Sequence, residues 1–449
     1  MIKENICAIS TPLGVGGISI IRVSGNTCIN TLNKYFTKPI INQEANTIKY
    51  NKFTYLGEIL DEVMVSVFKN PHSYTGEDII EINCHGGIYI TNKILEILIS
   101  DEEIRLANPG EFSKIAFLNG KKNLIEIDSI INTIEAKNET NYNLTNNQVV
   151  EYTKNEINQL RERLLNIITS IEVKLDYPEY QDLEEVIGSD IIDELETINN
   201  LLVEIIDNSN KGAIISQGLT TVIVGAPNVG KSSLLNRLSK QDKAIVSDVQ
   251  GTTRDVVESE VNLGKIVLRL LDTAGIRETD EVVEQIGVIK SKELINEAQL
   301  VLFVLDKNND FNQELQDLYE LIKTKPHLVL INKCDDNQNV SFGLDNELCI
   351  SVTTNYNIDT IQERVLELFN INNFSTENKS ILINTLQIAN LQSAKNYLEQ
   401  AINNINLGLD IDVVEIDLKQ SLYILGEILG INAKDDLLNA LFSRYCLGK

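Results

Sequence analysis

Short apolar runs separated by glycine turns dominate the first 118 residues. Residues 18–23 and 79–82 are rich in β-branched side chains, which predicts strands. Between Thr91 and Ile99 the apolar positions recur at helical spacing and predict a helix. Strands mixed with a helix indicate a compact α+β domain over residues 1–118.

From residue 119 the apolar positions follow the longer repeat of amphipathic helices, and this repeat returns over residues 376–449. Between these segments, residues 214–375 alternate apolar strands with helices, which is typical of a parallel sheet covered by helices. The pattern therefore predicts a discontinuous helical domain, residues 119–213 with 376–449, into which an α/β unit is inserted. Two helical stripes carry this prediction: Ile157, Leu160, Leu164, Ile167, Ile168 and Ile171, then Ile388, Leu391, Leu398 and Ile402.

Composition narrows the class of protein. The chain has 449 residues, enough for two or three domains, and its 43% hydrophobic content contains no long apolar run. A soluble globular protein is therefore expected, and the sequence start shows no secretory signal. The six cysteines form no CxxC pair, which favours neither a disulfide framework nor a zinc site. These features together predict a cytoplasmic protein.

Charge limits the expected contact with nucleic acid. The chain carries 65 acidic and 39 basic residues, a net charge of −26. Such a surface repels a phosphate backbone as a whole. Any nucleic-acid contact must therefore use a local patch or be shared with a partner.

The octet over residues 225–232, Gly-Ala-Pro-Asn-Val-Gly-Lys-Ser, matches the phosphate-loop pattern GxxxxGK[ST]. Small residues allow successive backbone N–H groups to turn towards phosphate oxygens at the start of a helix. Lys231 is expected to meet the β and γ phosphates, and Ser232 to bind Mg²⁺. An ordinary glycine turn before a helix is the alternative, but the strand before and helix after favour the phosphate loop.

Two further motifs follow at predicted strand ends. Residues 272–275 form DxxG, suited to hold the Mg²⁺ hydration shell and sense the γ-phosphate, and residues 332–335 form NKxD. The Asp335 carboxylate can accept hydrogen bonds from the N1–H and exocyclic amine of guanine, which adenine cannot supply. Residues 351–353, Ser-Val-Thr, only partly match the Ser-Ala-Lys usual beside the base. The order of the four motifs predicts a Ras-like G domain that binds GTP rather than ATP.

Residues 247–255 resemble the first switch of TrmE–Era-type GTPases, in which the second threonine, here Thr253, binds Mg²⁺. After DxxG stands Ile276, where Ras-like proteins carry a glutamine that orients the attacking water. An aliphatic side chain cannot orient a nucleophile. Hydrolysis is therefore expected to need help from another group.

The whole chain resembles the MnmE (TrmE) family of tRNA modification GTPases. Within the G domain the resemblance rests on Asn228, residues 251–255 and Glu284, and at the C-terminus on residues 442–449, Phe-Ser-Arg-Tyr-Cys-Leu-Gly-Lys. Leu447 replaces a more usual isoleucine in that ending. The N-terminal motifs typical of the family are residues 11–17, 22–25, 73–78, 85–87 and 108–112.

The resemblance implies a site for GTP and two cations. Mg²⁺ would be bound by Ser232 and Thr253, and a K⁺ ion that acts where an arginine finger would, by Asn228, Ser247, Val249 and Thr252. Otherwise Asn228 is a turn-favouring residue after Pro227. The full set of implied GTP-binding positions is Asn228, Val229, Gly230, Lys231, Ser232, Ser233, Ser247, Asp248, Val249, Gln250, Gly251, Thr252, Thr253, Asp272, Thr273, Ala274, Gly275, Asn332, Lys333 and Asp335.

Catalytic roles are implied for Glu284, Arg254 and Cys446. Glu284 would position the attacking water; without the resemblance it is one of several acids at a solvated helix start. Cys446 would place a thiol beside a folate, although a frayed tail is the ordinary expectation so near the end of a chain.

The N-terminal domain of the family binds a one-carbon folate, 5-formyltetrahydrofolate or methylenetetrahydrofolate. The resemblance assigns Arg22, Glu81, Lys121 and Lys449 to this pocket. Glu81 could accept hydrogen bonds from the pterin edge, and the three cations could pair with carboxylates or a polarised carbonyl. Taken alone, Arg22 and Glu81 would be solvent-facing charges on strands, and Lys121 a loop lysine.

The implied activity is a GTPase that works with an FAD-containing, MnmG (GidA)-like subunit as a heterotetramer. Together they would install a 5-carboxymethylaminomethyl-type group on the wobble uridine of tRNA, with the methylene carbon from folate. The chain would form a homodimer through its N-terminal domains, with GTP hydrolysis opening and closing the G domains. Two alternatives remain: a ribosome-assembly GTPase, and a folate-dependent one-carbon transferase whose G domain is only regulatory.

Overall fold

The computed structural model describes residues 5–136, 138–176, 189–241, 257–271, 293–336, 339–372, 374–377, 379–431, 442 and 448. The chain divides into two compact units, Met1–Ile131 with Lys419–Lys449, and Asn132–Leu418. None of the helices in these described ranges is long and apolar enough to cross a membrane.

A six-stranded sheet forms the first unit. Its order is β3-β4-β5-β2-β1-β6, and only the β1–β6 pair is parallel. The predicted strands at 18–23 and 79–82 and the helix at 91–99 are confirmed as β2, β5 and α2. The strands are β1 Asn5–Ile9, β2 Ile18–Ser24, β3 Thr47–Tyr55, β4 Glu58–Phe68, β5 Ile79–His85 and β6 Ile104–Leu106; the helices are α1 Cys28–Leu32, α2 Ile88–Ile99, α3 Glu111–Leu118 and α4 Leu124–Glu135, with a 3₁₀ turn at Asn33–Tyr35.

Alternation along the strands separates a core face of this sheet from a polar face. Ile21 and Val23 of β2 are fully buried in the core beneath α1 and α2, as are Ile80 and Ile82 of β5. The residues between them therefore point to the other face. Arg22 and Glu81 are such residues, and the antiparallel register places them directly opposite each other.

In the second unit, the short helix α5 Glu139–Leu144 precedes the predicted long helices, which are α6 Asn147–Asp176 and α7 Ser189–Gln217. The stripe predicted from Ile157 to Ile171 is buried along one face of α6. The predicted domain boundary between residues 213 and 214 falls inside α7. All four predicted domain ranges stay predictions.

The second sheet has the order β12-β11-β10-β7-β9-β8, with fully buried strands at its centre. Helices cover it, as the βα alternation predicts. The strands are β7 Leu219–Val224, β8 Val257–Asn262, β9 Val267–Leu271, β10 Leu300–Asp306, β11 His327–Asn332 and β12 Glu347–Cys349, and the helices are α8 Lys231–Gln241, α9 Gln313–Ile322 and α10 Thr360–Leu368.

The prediction of a parallel sheet is right for five strands and wrong for β8, which pairs antiparallel with β9. A short turn joins β8 to β9, where the Leu263 N–H donates to the Ile266 carbonyl at 2.8 Å. Parallel neighbours need a crossover of about a dozen residues or more, so a turn of this length forces the antiparallel arrangement.

After the α/β unit the chain returns to helices, α11 Thr385–Asn406 and α12 Ile411–Leu429. The predicted stripe from Ile388 to Ile402 is buried, and α11 packs against α7. The returning segment is also bonded to the earlier helices, because the Ile381 N–H donates to Thr153 of α6 and the Leu382 N–H to Ser209 of α7, both at 2.9 Å. The predicted fold class, an α/β unit inserted into a discontinuous helical domain, is confirmed.

Candidate GTP-binding site

The octet over residues 225–232 forms the turn between β7 and α8, as the phosphate-loop reading requires. Gly225 has φ +148° and Gly230 has φ +100°. A Cβ at Gly225 would collide with the Val304 carbonyl oxygen, and one at Gly230 with Nδ2 of Asn332. Both glycines are therefore required for the loop to fit between its neighbouring strands.

Lys231 closes the loop from its first helical position. Its Nζ donates to the carbonyl oxygens of Gly225 and Ala226, each at 2.8 Å. Burial lowers the pKa of Lys231, because the charged ammonium is partly removed from water. The negative charge of a bound phosphate would stabilise the ammonium of Lys231 in its charged form. Ser232 and Ser233 follow as exposed residues of the first turn of α8, where helix N–H groups favour anions.

The guanine motif is bonded directly to the phosphate loop. Nδ2 of Asn332 donates to the Val229 carbonyl at 2.8 Å, and Oδ1 of Asn332 accepts from the Val352 N–H at 3.3 Å. Asn332 is 4% exposed, so this amide is a buried crosslink between three loops. The asparagine thus fixes the distance between the phosphate end and the base end of the site.

Ser351 orients the carboxylate that is expected to recognise guanine. Its hydroxyl donates to Oδ1 of Asp335 at 2.5 Å and accepts from the Thr354 N–H at 3.0 Å. The sequence motif at 351–353 raised only the question of contact with the base. The structure adds a second role for Ser351, which is to orient the Asp335 carboxylate. The hydroxyl occupies one acceptor position of that carboxylate and leaves the others for the ligand.

Lys333, the second residue of NKxD, has its ammonium paired with a buried carboxylate. Its Nζ lies 2.6 Å from Oδ2 of Asp306, whose side chain is 6% exposed. Burial alone would raise the pKa of Asp306, but the hydrogen bonds from Lys333 and from the Asn308 N–H outweigh it, and the pKa lies below its usual range. Asp306 is not among the site residues that the sequence motifs predict. Its signal was an acid at the end of the otherwise apolar strand β10.

The described residues contain only part of the predicted cation sites. Asn228 is exposed with φ +60°, a left-handed conformation that asparagine tolerates, and Ser232 stands at the start of α8. The predicted site residues outside the described ranges are Ser247, Asp248, Val249, Gln250, Gly251, Thr252, Thr253, Arg254, Asp272, Thr273, Ala274, Gly275, Glu284, Cys446 and Lys449.

A second cluster lies on the polar face of the first sheet. Nε and Nη2 of Arg22 donate to Oε1 of Glu81 at 3.0 and 2.9 Å, and each side chain is 19% exposed. Nη1 of Arg22 donates to the Gly448 carbonyl at 3.2 Å. The guanidinium also lies 5.7 Å from the Phe112 ring centroid and 6.0 Å from that of Tyr74. The structure therefore brings two of the predicted folate residues together with Gly448.

Lys121, the third described member of that predicted set, follows α3, the helix that carries Phe112. Its stem lies along Gly76, where an added Cβ would be 3.1 Å from Cε of Lys121. Gly76 has φ +79°, and the carbonyl of the preceding Thr75 accepts from Nδ2 of Asn119 at 2.7 Å. The 73–78 motif thus shapes the surface beside Lys121.

A phosphate loop crosslinked to a guanine-specific NKxD motif defines a P-loop GTP hydrolase. Two family models match the chain: the MnmE helical domain over residues 124–446 and the GTP-binding protein TrmE N-terminus over residues 5–121.

Curated relatives match over nearly the full length. The tRNA modification GTPase MnmE of Streptococcus thermophilus is 42% identical over 450 residues, covering 99% of this chain and 98% of that protein. That of Streptococcus mutans is 41% identical, with 99% of each chain covered. That of Aster yellows witches'-broom phytoplasma is 40% identical over 461 residues, with complete coverage of both. The chain belongs to the MnmE family of tRNA modification GTPases.

Proposed function

We propose that this chain couples GTP hydrolysis to modification of the wobble uridine of tRNA. It acts with an FAD-containing subunit, and a reduced folate supplies the carbon for a 5-carboxymethylaminomethyl-type group. The observation that carries the proposal is the extent of the similarity, which covers 99% of this chain in the Streptococcus thermophilus relative. The matched region thus includes the first sheet and the C-terminal residues, which GTP hydrolysis alone does not require.

The Arg22–Glu81 cluster supports the use of a folate. It offers a carboxylate acceptor for the donor edge of a pterin, and a guanidinium for a carboxylate or polarised carbonyl. The half-buried ring of Tyr74 lies beside Arg22 and provides apolar surface for a flat ligand, and the fully buried Phe112 ring supports the guanidinium from the core. Lys121, Lys449 and the Cys446 thiol complete the proposed pocket. Arg22 binds the carbonyl of Gly448, so this described residue of the C-terminal tail reaches the cluster.

The net charge of the chain bears on which partner holds the tRNA. With a net charge of −26, the chain is poorly suited to hold tRNA by itself, so the flavoprotein is proposed to provide most of the phosphate contacts. The chain is proposed to form a homodimer through its N-terminal domains and a heterotetramer with two flavoprotein subunits. Opening and closing of paired G domains would transmit GTP turnover to the modification.

A reconstituted reaction tests the proposed function. Purified chain, MnmG-like flavoprotein, unmodified tRNA, methylenetetrahydrofolate, glycine as the amine that carries the carboxymethyl group, and GTP are combined, and wobble nucleosides are measured by mass spectrometry. Modified uridine is expected only when all components are present. Glu81→Gln is expected to lower folate affinity and modification together while leaving GTP turnover without tRNA unchanged.

The outcomes separate the proposal from its alternatives. Full modification without folate would contradict the one-carbon role. Full modification without GTP would make the G domain regulatory only. An unmodified wobble position in the complete mixture, with GTP turnover stimulated instead by ribosomal subunits, would favour a ribosome-assembly GTPase.

Potassium is proposed to supply the positive charge that hydrolysis requires, held by Asn228 with Ser247, Val249 and Thr252. Glu284 would position the attacking water, and Arg254 lies in the same switch segment. The exposed, left-handed Asn228 in the phosphate loop supports this proposal, because its side chain is not needed to build the core. Ser232 and Thr253 would bind Mg²⁺, which neutralises charge on the β and γ phosphates.

We expect GTP turnover to fall by roughly 10²-fold when K⁺ is replaced by Na⁺, a loss comparable to removing one preorganised electrostatic contact from a transition state. Asn228→Ala is expected to show the same low rate in both salts while still binding GDP. Asn309→Ala, an exposed asparagine outside the loop, is the control. Equal turnover of the unaltered chain in K⁺ and Na⁺ would contradict the cation role and leave GTP binding intact.

A further inference from the structure

Asp306 is a buried carboxylate at the carboxyl end of β10, beside the end of β11 that carries NKxD. Its two oxygens have different partners. Oδ1 accepts from the Asn308 backbone N–H at 3.0 Å and from Asn308 Nδ2 at 3.1 Å, whereas Oδ2 lies 2.6 Å from Nζ of Lys333. At 6% exposure its charge is largely removed from water, so its position is fixed by these bonds.

Lys333 has a left-handed backbone conformation and a side chain that is only partly buried. Its φ is +67°, a left-handed conformation that is costly for a side chain of this size. The side chain is 42% exposed although its ammonium is tied back to Asp306. The lysine side chain therefore borders the solvent while its ammonium is paired with a buried carboxylate.

The neighbours of Lys333 determine what its methylene stem can contact. Asn332 on one side is bonded to the phosphate loop, and Asp335, two positions further on, is oriented by Ser351. A guanine that bonds to Asp335 through its edge must lie beside the same short loop. The stem of Lys333 is then available to cover a face of the ring, whereas Asp335 recognises the edge.

We propose that Asp306 is a positioning residue for nucleotide binding, which holds the ammonium of Lys333 at the end of β10 so that the lysine stem packs on the purine ring. Asp306 does not touch the nucleotide. Its contribution passes entirely through Lys333 and does not depend on the groups that distinguish guanine from other 6-oxopurines. The depressed pKa of Asp306 agrees with this role, because the carboxylate remains ionised beside Lys333.

A double-mutant cycle tests the proposal. Affinity for fluorescently labelled GDP is measured for the unaltered chain, Asp306→Asn, Lys333→Met and the double variant. Asp306→Asn keeps the side-chain shape and is expected to weaken binding roughly tenfold, which is about 1.4 kcal/mol. In the Lys333→Met background the same substitution is expected to change affinity less than twofold, because no ammonium remains to be held.

Asp336→Asn is the matched control, since Asp336 also makes a 2.6 Å ion pair, with Lys307, in the same region but is 44% exposed. Removing it is expected to leave GDP affinity unchanged. Two readouts separate positioning from general destabilisation. Asp306→Asn is expected to raise the KM for GTP with little change in kcat. It is also expected to lower the affinities for GDP and for inosine diphosphate by the same factor.

Three results would overturn the proposal: unchanged GDP affinity in Asp306→Asn, an equal loss with and without Lys333, or a loss confined to GDP. The last result would mean that Asp306 acts on the recognition of the guanine edge through Asp335. Thermal unfolding of each variant without nucleotide identifies any loss of folded protein, and affinities are then corrected for the folded fraction.

Discussion

Gly230→Ala is expected to weaken GTP binding by roughly 10²-fold or more. At φ +100° an alanine is strained by about 1–3 kcal/mol, and its Cβ would collide with Nδ2 of Asn332. Relief of the collision breaks the 2.8 Å bond from Asn332 to the Val229 carbonyl and leaves buried polar atoms unpaired, which costs a further 1–3 kcal/mol or so. Because about 1.4 kcal/mol is tenfold, the two costs together account for the expected loss.

Titration of GTP by calorimetry measures this loss. Gly343→Ala is the matched control, because Gly343 lies in the same α/β unit with φ +77° but has no atom within 4 Å of an added Cβ. The Gly343→Ala variant has the backbone strain without the collision. We expect it to bind GTP normally and to unfold at a lower temperature than the unaltered chain. Unaltered affinity in Gly230→Ala would mean that the contact between Gly230 and Asn332 does not hold the site together.

Asp335→Asn is expected to exchange the base preference of the site from guanine to xanthine. The Asp335 carboxylate accepts from the two guanine donors, and in xanthine one of these donors is replaced by a carbonyl. Ser351 donates to Oδ1 of Asp335, so in the variant it is expected to keep the amide oxygen there and turn the NH₂ group towards the ligand. The amide can then donate to the xanthine carbonyl and leaves a guanine donor unpaired.

We expect GTP affinity to fall by roughly 10²-fold or more, because a guanine donor that loses its acceptor in a site built for hydrogen bonds is strongly disfavoured. Competition between GTP and xanthosine triphosphate for a labelled nucleotide measures the exchange. Asp336→Asn, the neighbouring aspartate, is expected to retain the guanine preference. If the Asp335→Asn chain still prefers GTP, the prediction that this carboxylate recognises guanine is wrong.

Local patterns predicted much of the fold because they depend on neighbours in the chain. The apolar stripe on α6 and the β-branched runs of β2 and β5 report which face each element buries, and the structure buries those residues. The phosphate loop and NKxD were readable because each needs a fixed short spacing between a backbone turn and one side chain. Their joint position at strand ends then followed from the parallel arrangement of β7, β10 and β11.

Contacts between distant parts of the chain were not readable in the same way. Asp306 ends β10 and Lys333 directly follows β11, and only the pairing of these two strands brings the side chains to 2.6 Å. Arg22 and Gly448 are separated by 426 positions, and no periodicity relates a strand to the end of a chain. The antiparallel β8 was missed for a local reason, since its short turn follows a strand inside an otherwise βα pattern.

The wobble-nucleoside profile of a strain that lacks this gene shows directly whether GTP binding at residues 225–232 drives tRNA modification. Mass spectrometry compares the strain alone with the strain carrying the unaltered chain, Gly230→Ala or Gly343→Ala. The modified wobble uridine is expected with the unaltered chain and Gly343→Ala, and its unmodified precursor with no chain or Gly230→Ala. Full modification by a Gly230→Ala chain whose GTP affinity has been measured to be lost, or an unchanged profile in the deletion strain, would show that GTP binding by this chain does not drive the modification.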